Sequence, residues 1–455
     1  MKNGKKNNKE FWNREDAVKN VKSFLKEDRS AELEAFLEST EPEDIAEILG
    51  EFSSKEKIHI FNALPAENAA VVLDDTDPQT RLQILQKIDN DKLARVLDEM
   101  PVDEAADVVE EVPEENREDI LDLMEEKDAE EVEEILSYPE DSAGRVMNPE
   151  FIFVRENNDV EDAVRHMRNF EVEEKFIYVY VVDGNMKLQG AVTIWKLLTA
   201  NKGTLIKDIV ERDIHSILVD ADQEKAALIM KKYDLFSLPV INNEGCLVGR
   251  ITVDDIMDVV DEEHAEDISR MTGTIEEEQG TESTLKATQN RLPWLITCMV
   301  GSIITGLVIQ LYEVTLTETI ALVSFIPVIT ATGGNSGVQA STVVVRGIAL
   351  GHMVYSHVLD EVWRQLKIAL GLGLVCGTVL TFLANIWMKN SVVGMIVGLS
   401  IFLVVVWSNF VGVVIPVIFK KMRIDPAIAS GPLITTLNDV IGVFIYLTTA
   451  SIFLS

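Results

Sequence analysis

The stretch VVGMIVGLSIFLVVVWSNFVGVVIPVIF, Val392–Phe419, carries no charged side chain over its whole length. A helix rises 1.5 Å per residue, so about 20 such residues cross the hydrocarbon layer of a bilayer. Working outward from it, residues 293–312, 319–345, 365–388 and 432–454 read the same way, which predicts five membrane-spanning helices. Their flanks orient them. Lys286 and Arg291 precede the first span. Arg346, Arg364 and Lys367 lie between the second and third, and Lys420, Lys421 and Arg423 between the fourth and fifth. The loops on the opposite side offer only Lys389. Basic loops stay in the cytoplasm, so the amino terminus is expected inside and the carboxyl terminus outside the cell membrane. The first 30 residues are polar, with no apolar run of a cleaved leader, so the segment before the spans is expected in the cytoplasm.

Two unlike halves explain the composition. The 455 residues hold 41 Lys and Arg against 76 Asp and Glu, a formal net charge of −35, yet the mean hydropathy is +0.11. Residues 291–455 carry eight basic and six acidic side chains, a net of +2; the remaining 33 basic and 70 acidic residues give residues 1–290 a net of −37. Such a field repels phosphate backbones and excludes nucleic acid as a partner. Cys246, Cys298 and Cys376 are far apart and form neither a zinc motif nor a disulfide framework.

Several spans contain residues that hydrocarbon would not select. Thr332-Gly333-Gly334-Asn335-Ser336-Gly337, followed by Gln339, lies in the second span downstream of Pro327. Small residues there either let helices approach closely or line a polar cavity. Asn335 and Gln339 favour the cavity, with Gly333, Gly334 and Ser336 as further candidates for its wall. Ser408-Asn409 in the fourth span is a weaker instance, and Pro416 only kinks that helix. Asp439 follows Asn438 in the fifth span, and no Lys, Arg or His lies in the interior of any span. An intramembrane carboxylate without an opposite charge marks a functional site, here one for water, a proton or a metal cation. Asp425, just before this span, would add a second carboxylate at the cytoplasmic mouth.

Residues 30–141 repeat a short pattern, as in Pro42-Glu-Asp-Ile-Ala-Glu-Ile-Leu and Pro101-Val-Asp-Glu-Ala-Ala-Asp-Val-Val. Proline followed by acids is a helix start. Further starts at Pro65, Asp77, Asn90 and Pro113 give a step of 11 to 13 residues, predicting a small all-α superhelical domain after a tail of residues 1–29. From residue 142 the pattern turns to α/β. Helices at 159–169 and 223–232 each precede a hairpin and a further helix. Gly190 and Thr193 in the first copy match Gly249 and Thr252 in the second, 59 residues later. Residues 142–203 and 204–262 thus form a tandem pair. From Asp261 an acidic helix opens a connecting segment, 263–290, along the inner membrane surface.

The tandem pair resembles two CBS domains, which commonly sense adenine nucleotides or ions. In nucleotide-binding pairs an acid after the threonine holds the ribose hydroxyls. The second copy keeps one (Thr252-Val-Asp254-Asp255), whereas the first has Thr193-Ile-Trp195-Lys196, so the resemblance leaves at most one ATP site, at Asp255. The order of acidic helical domain, CBS pair, connecting helix and five-helix transmembrane domain resembles the MgtE family of magnesium channels, from about residue 30 to the end. Ser142-Ala-Gly-Arg-Val-Met147, Thr332-Gly-Gly-Asn-Ser-Gly, Asp425-Pro-Ala and Asp439 carry the match. The resemblance implies a multidomain homodimer in which Asp439 binds the permeating Mg²⁺ and cytoplasmic Mg²⁺ closes the channel. It implies regulatory metal ligands at Asp222, Glu224, Asp234, Asp255, Asp258, Glu263, Glu266 and Asp267, and at Asp103 and Asp107 of the helical domain. Many members carry Asn at the place of Gly431, so a side-chain role there is lost. By spacing alone, Asp255, Asp258 and Glu263 to Asp267 fall within a few helical turns.

Mg²⁺ gives up its water reluctantly, so one carboxylate per subunit, paired across a two-fold axis, suits a hydrated dication. A proton-coupled carrier with Asp439 as its relay is the rival reading. An intramembrane serine protease using Gly334-Asn335-Ser336-Gly337 lacks a histidine base: His352 and His357 lie in the loop and the last three spans contain none. His59, His166 and His215 fall in ordinary element patterns, and His264 sits among acids.

Overall fold

The computed structural model describes residues 13–168, 176–274, 284–349, 358–429 and 431–454. His352 and His357 lie outside the described residues. The chain divides into two compact units, Met1–Val260 and Asp261–Ser455.

The first unit opens with ten short helices: α1 (Arg14–Lys26), α2 (Ser30–Ser39), α3 (Pro42–Leu49), α4 (Ser54–Ala63), α5 (Ala66–Asp74), α6 (Pro78–Leu85), α7 (Asn90–Leu97), α8 (Val102–Glu111), α9 (Glu114–Leu121) and α10 (Glu126–Leu136). From α2 to α10 each begins 12 residues after the last. The eighth residue of successive helices is a buried anchor: Leu37, Leu49, Phe61, Leu73, Leu85, Leu97 and Val109. Helices pack against the next but one, as α3 on α5 on α7, so each covers the apolar stripe its neighbours leave open. Residues 14–26, expected as tail, are helical because Ala17 and Val21 find cover in the same core.

The tandem pair follows. β1 (Phe153–Arg155), α11 (Val160–Arg168), β2 (Tyr178–Val182), β3 (Leu188–Thr193), α12 (Ile194–Thr199) and α13 (Ile206–Ile209) form the first copy. β4 (Ile217–Leu218), α14 (Gln223–Tyr233), β5 (Ser237–Ile241) and β6 (Leu247–Thr252) form the second. Each hairpin gains a third, parallel strand from the segment before its helix, so the sheets run β1-β2-β3 and β4-β5-β6. Their registers match: Val181 opposes Gly190 as Val240 opposes Gly249, each next to a bulge. The second copy shares one apolar core with α1–α10. The Ser142–Met147 motif stitches them, with Ala143 and Gly144 donating to the carbonyls of Ala221 and Val219 at 2.6 and 2.9 Å. A Cβ on Gly144 would stand 2.8 Å from the Tyr138 ring, so glycine is required where the linker crosses.

After Thr252 a single helix, α15 (Val253–Thr272), runs through Asp261, the place where the connecting helix is expected to open. The stretch contains neither Gly nor Pro, and Asp255 accepts from the Thr252 amide at 2.7 Å as a cap. Gly273, at φ +77°, ends it.

In the second unit the remaining helices are α16 (Thr284–Leu311), α17 (Glu313–Glu318), α18 (Ile326–Ala349), α19 (Val358–Met388), α20 (Ser391–Lys421) and α21 (Pro432–Leu454), with 3-10 turns at Ile320–Phe325 and Pro426–Ala429. All five expected spans are present: Thr284–Leu311, Ile320–Ile348, Asp360–Met388, Ser391–Lys421 and Pro432–Leu454 are long and apolar enough to cross a membrane. The first is helical from Thr284, within the segment expected as connecting chain. α20 is the central helix: half of its apolar window is buried, against 11% for α16, and it packs on α18, α19 and α21.

Candidate functional site: an intramembrane carboxylate and two acidic clusters

Within the membrane unit, α18, α20 and α21 meet along a line of small residues. The position a Cβ would take on Gly337 is filled by the Asn438 amide, and Ser408 carbonyl oxygen lies 3.2 Å from it. A Cβ on Gly333 would stand 3.3 Å from Ser408 Oγ. Asn409 Nδ2 donates to Ser336 Oγ at 2.6 Å and to the Val405 carbonyl at 2.8 Å. Gly333, Ser336, Gly337 and Ala340 therefore form the face that α18 turns to its neighbours. Gly333 and Ser336, expected in a pore wall, lie on this packed face: Ser336 is 8% exposed and holds Asn409. Such hydrogen bonds are favoured between membrane helices because lipid offers no other partner.

The other side of α18 is different. Asn335 and Gln339, one turn apart, are exposed there, whereas Gly334, at the edge of the packed face, is buried beside Asp439, whose Oδ1 would be 3.9 Å from a Cβ on it. Asp439 is half-buried, and among the described residues no basic side chain pairs with it. Its neighbour Asn438 is fully buried, and among the described residues neither of its amide atoms has a hydrogen-bond partner.

The cytosolic carboxylates fall into two groups. In the first unit, Asp103 near the start of α8 is 7% exposed and accepts from Asn148 Nδ2 at 3.3 Å. Burial, reinforced by repulsion from Asp255, holds its carboxyl well above the usual range. Glu104 is pushed up to about 9 by burial and by Asp74, Asp103, Asp255 and Asp75. Asp74 rises to about 6 through burial, against the pull of Arg81, with Asp75, Asp258 and Asp255 adding repulsion. Asp255 is raised by burial while its bonds to Thr252 lower it. No sequence motif singles out Glu104 or Asp74. The 12-residue repeat puts the two helices they occupy in phase, but their approach is a product of the superhelix.

Other candidates stand apart. Asp107, largely exposed, is paired with Arg145 at 3.0 Å, and Arg145 also binds Glu110. Asp222 caps the start of α14, accepting from the Glu224 amide at 3.0 Å. Asp234 closes the same helix at φ +51°, about 18 Å along the axis from Asp222 at 1.5 Å per residue, so it stands apart from Asp222 and Glu224. At the threonines of the CBS pair, Asp255 is occupied in capping α15, accepting also from Thr252 Oγ1 at 2.7 Å, while Thr193 caps α12 and Trp195 is 76% exposed.

In the second unit Glu263, Glu266, Asp267 and Arg270 share one face of α15. Arg270 pairs with both Glu266 and Asp425. Asp425, expected at the pore mouth, is thus bound to α15, and its second oxygen accepts from the Ala427 amide at 2.8 Å. Asp267 is pushed up to about 6 by burial and by Asp425 and Glu263, against Arg270 and His264. Among the described residues no three acidic, His or Cys side chains converge as a ready metal cage. A hydrated Mg²⁺ needs no such cage, since one or two carboxylates hold it through its waters.

Comparison with known proteins agrees with this arrangement. The family described as a divalent cation transporter, MgtE, matches residues 326–449; the MgtE intracellular N domain matches 40–141; and CBS domains match 143–203 and 206–262. The magnesium transporter MgtE of Bacillus subtilis (strain 168) is 33% identical over 321 residues, 70% of this chain and 71% of the relative. That of Enterococcus faecalis is 36% identical over 323 residues, 71% of each. Among solved structures, the soluble part of a magnesium transporter is 28% identical with a TM-score of 0.51, covering 55% of this chain and 99% of that one. The cytosolic domain of the Mg²⁺ channel MgtE in complex with ATP is 32% identical with a TM-score of 0.51, covering 53% and 99%. The chain belongs to the MgtE family of divalent cation transporters.

Proposed function

We propose that the chain is a Mg²⁺ channel of the cell membrane, built as a homodimer with its carboxyl terminus outside, in which Asp439 binds the passing ion. The chain is a transporter and not an enzyme. The observation that carries the reading is Asp439: a carboxylate inside a span, beside the bare backbone of Gly334, with no cation among the described residues to neutralise it. Two such groups across a two-fold axis supply two charges to a hydrated dication, and the exposed amides of Asn335 and Gln339 on α18 are assigned to hydrogen-bond its waters. A monovalent ion gains about half as much from the same field.

Closing is assigned to the acidic groups. Asp74, Asp103, Glu104, Asp255 and Asp258 crowd together in the first unit, and Glu263, Glu266, Asp267 and Asp425 in the second. A divalent cation between such carboxylates replaces mutual repulsion by attraction, so rising cytoplasmic Mg²⁺ favours the arrangement that brings them together. Asp107, Asp222, Glu224 and Asp234 enter this scheme only as outlying ligands. ATP enters as a modulator through the second CBS copy, since Trp195 and Lys196 stand where the first would need an acid.

Flux into liposomes tests the reading. Mg²⁺ entry that is indifferent to an imposed pH gradient and falls with millimolar Mg²⁺ on the cytosolic side is expected; entry that follows the pH gradient instead makes Asp439 a proton relay.

A further inference from the structure

The proposed gate contains a cation that never leaves. Arg270 lies in the last turn of α15, one and two turns after Asp267 and Glu263 on the same face. One guanidinium nitrogen reaches Glu266 of its own helix and another reaches Asp425, in the loop between α20 and α21. Asp425 is fixed from its other side by the Ala427 amide at 2.8 Å, at the start of the Pro426–Ala429 turn. The side chains of Arg270 and Asp425 are 40% and 25% exposed, so the pair is only partly screened.

A second, uncharged contact joins the same two segments. A Cβ on Gly431 would collide with the carbonyl oxygen of Met271, the residue after Arg270. Gly273 closes α15 at φ +77°, where a Cβ would stand 3.1 Å from the Trp294 ring and 3.4 Å from Pro432. The end of α15 is thus seated on the loop that leads into α21, the helix of Asp439, by backbone contact as well as by charge. Gly431 is what permits that approach, so the missing side chain at this position has a use.

We propose that Arg270 is a positioning residue of the transport cycle: its guanidinium latches α15 to Asp425 and restrains the α20–α21 loop when no divalent ion is bound. The inference rests on the transport reading above. Glu266 and Asp425 each pair with the Arg270 guanidinium, and Asp267 lies within the field of the same side chain. Arginine stays charged at every physiological pH, and because it is tethered it does not dilute away when Mg²⁺ falls. Closing therefore has two parts, a permanent one through Arg270 and a variable one through Mg²⁺ binding to the acidic side chains around it. Asp425 and Glu266 act first as partners of Arg270.

The test uses the full chain in liposomes, with Mg²⁺ chelated on the side bearing the cytosolic unit. Arg270→Gln should raise Mg²⁺ flux under chelation by about three- to tenfold, the range of a partly exposed, charge-assisted ion pair, and shift half-closing to higher Mg²⁺. Arg270→Lys, which keeps the charge but not the fork, should restore at least half of the restraint. Gly431→Ala leaves every charge in place and should raise the chelated flux likewise by lifting Met271 off the loop. It decides the matter by itself if Arg270→Gln does not purify as a folded protein. Wild-type flux with unchanged values in both Arg270→Gln and Gly431→Ala overturns the latch while leaving transport intact. A fall in flux for Arg270→Gln with none for Gly431→Ala overturns it as well, because Arg270 would then act on the ion path. A wild type that passes no Mg²⁺ overturns the transport reading and the latch together.

Discussion

Replacing Glu104 by Gln should stabilise the cytosolic fragment 1–270 at pH 7.5 in the absence of divalent ions and do so far less at pH 5. The carboxyl of Glu104 lies among Asp74, Asp103, Asp255 and Asp75 and is pushed from 4.5 up to about 9; Asp74 is pushed to about 6. An unfolded carboxyl ionises near its ordinary value, so between that value and the folded one the native state holds protons the unfolded chain has released. Stability then falls as pH rises, and the loss is complete only above the folded values. At pH 7.5 the full shift of Glu104 corresponds to about 4 kcal/mol, at 1.36 kcal/mol for each of about three pH units. Glu104 is only partly covered and can turn toward water, so an observable gain of about 1–2 kcal/mol is expected, or roughly 2–8 °C in melting temperature for a domain of this size. Thermal unfolding followed by circular dichroism from pH 5 to 8, with EDTA and with millimolar Mg²⁺, measures it. Mg²⁺ should stabilise the parent fragment more at pH 7.5 than at pH 5, and its effect should be smaller in Glu104→Gln. A parent fragment whose melting temperature is flat or rises across this range, with Glu104→Gln neutral at pH 7.5, would refute the reasoning.

Millimolar Mg²⁺ should also compact the fragment 1–270 in small-angle scattering, through the acidic cluster of the first unit; superimposable curves with and without Mg²⁺ would remove the cytosolic unit from the gate. In the membrane unit, Gly337→Ala drives a methyl group into the Asn438 amide and to within 3.0 Å of Ile434, at a cost of about 1–3 kcal/mol. Thermal unfolding in detergent should show that loss, while Gly306→Ala, with nothing within 4 Å, should leave the melting temperature unchanged.

Much of this architecture is legible in the sequence because it is written in local patterns. The five spans follow from uncharged length, and all five helices lie where that length puts them. Pro42, Pro65, Pro101 and Pro113 mark helix starts or the residue just before one, and the 12-residue step follows from them. The CBS repeat is visible as Gly190 with Gly249 and Thr193 with Thr252, and the sheets keep those pairs in the same register. What the sequence hides is direction and long-range approach. Ser336 and Asn335 are neighbours in a polar run, yet a 100° turn sends one to Asn409 and the other to the exposed face. Helical spacing of Gly333, Ser336, Gly337 and Ala340 contained that signal, but the polar character of the run obscured it. Glu104 resembles any surface acid until the superhelix sets it beside Asp74 and Asp255. Arg270 and Asp425 are 155 residues apart in sequence, so no local pattern could announce their pair.

The proposed ion path depends on one side chain. Mg²⁺ influx into liposomes carrying the full chain, measured with an entrapped indicator for the parent and for Asp439→Ala, tests it most directly. Loss of Mg²⁺ influx in Asp439→Ala, in protein that elutes and melts as the parent does, is the predicted result. Influx equal to the parent's would contradict it, and the ion path would have to run elsewhere than past α21.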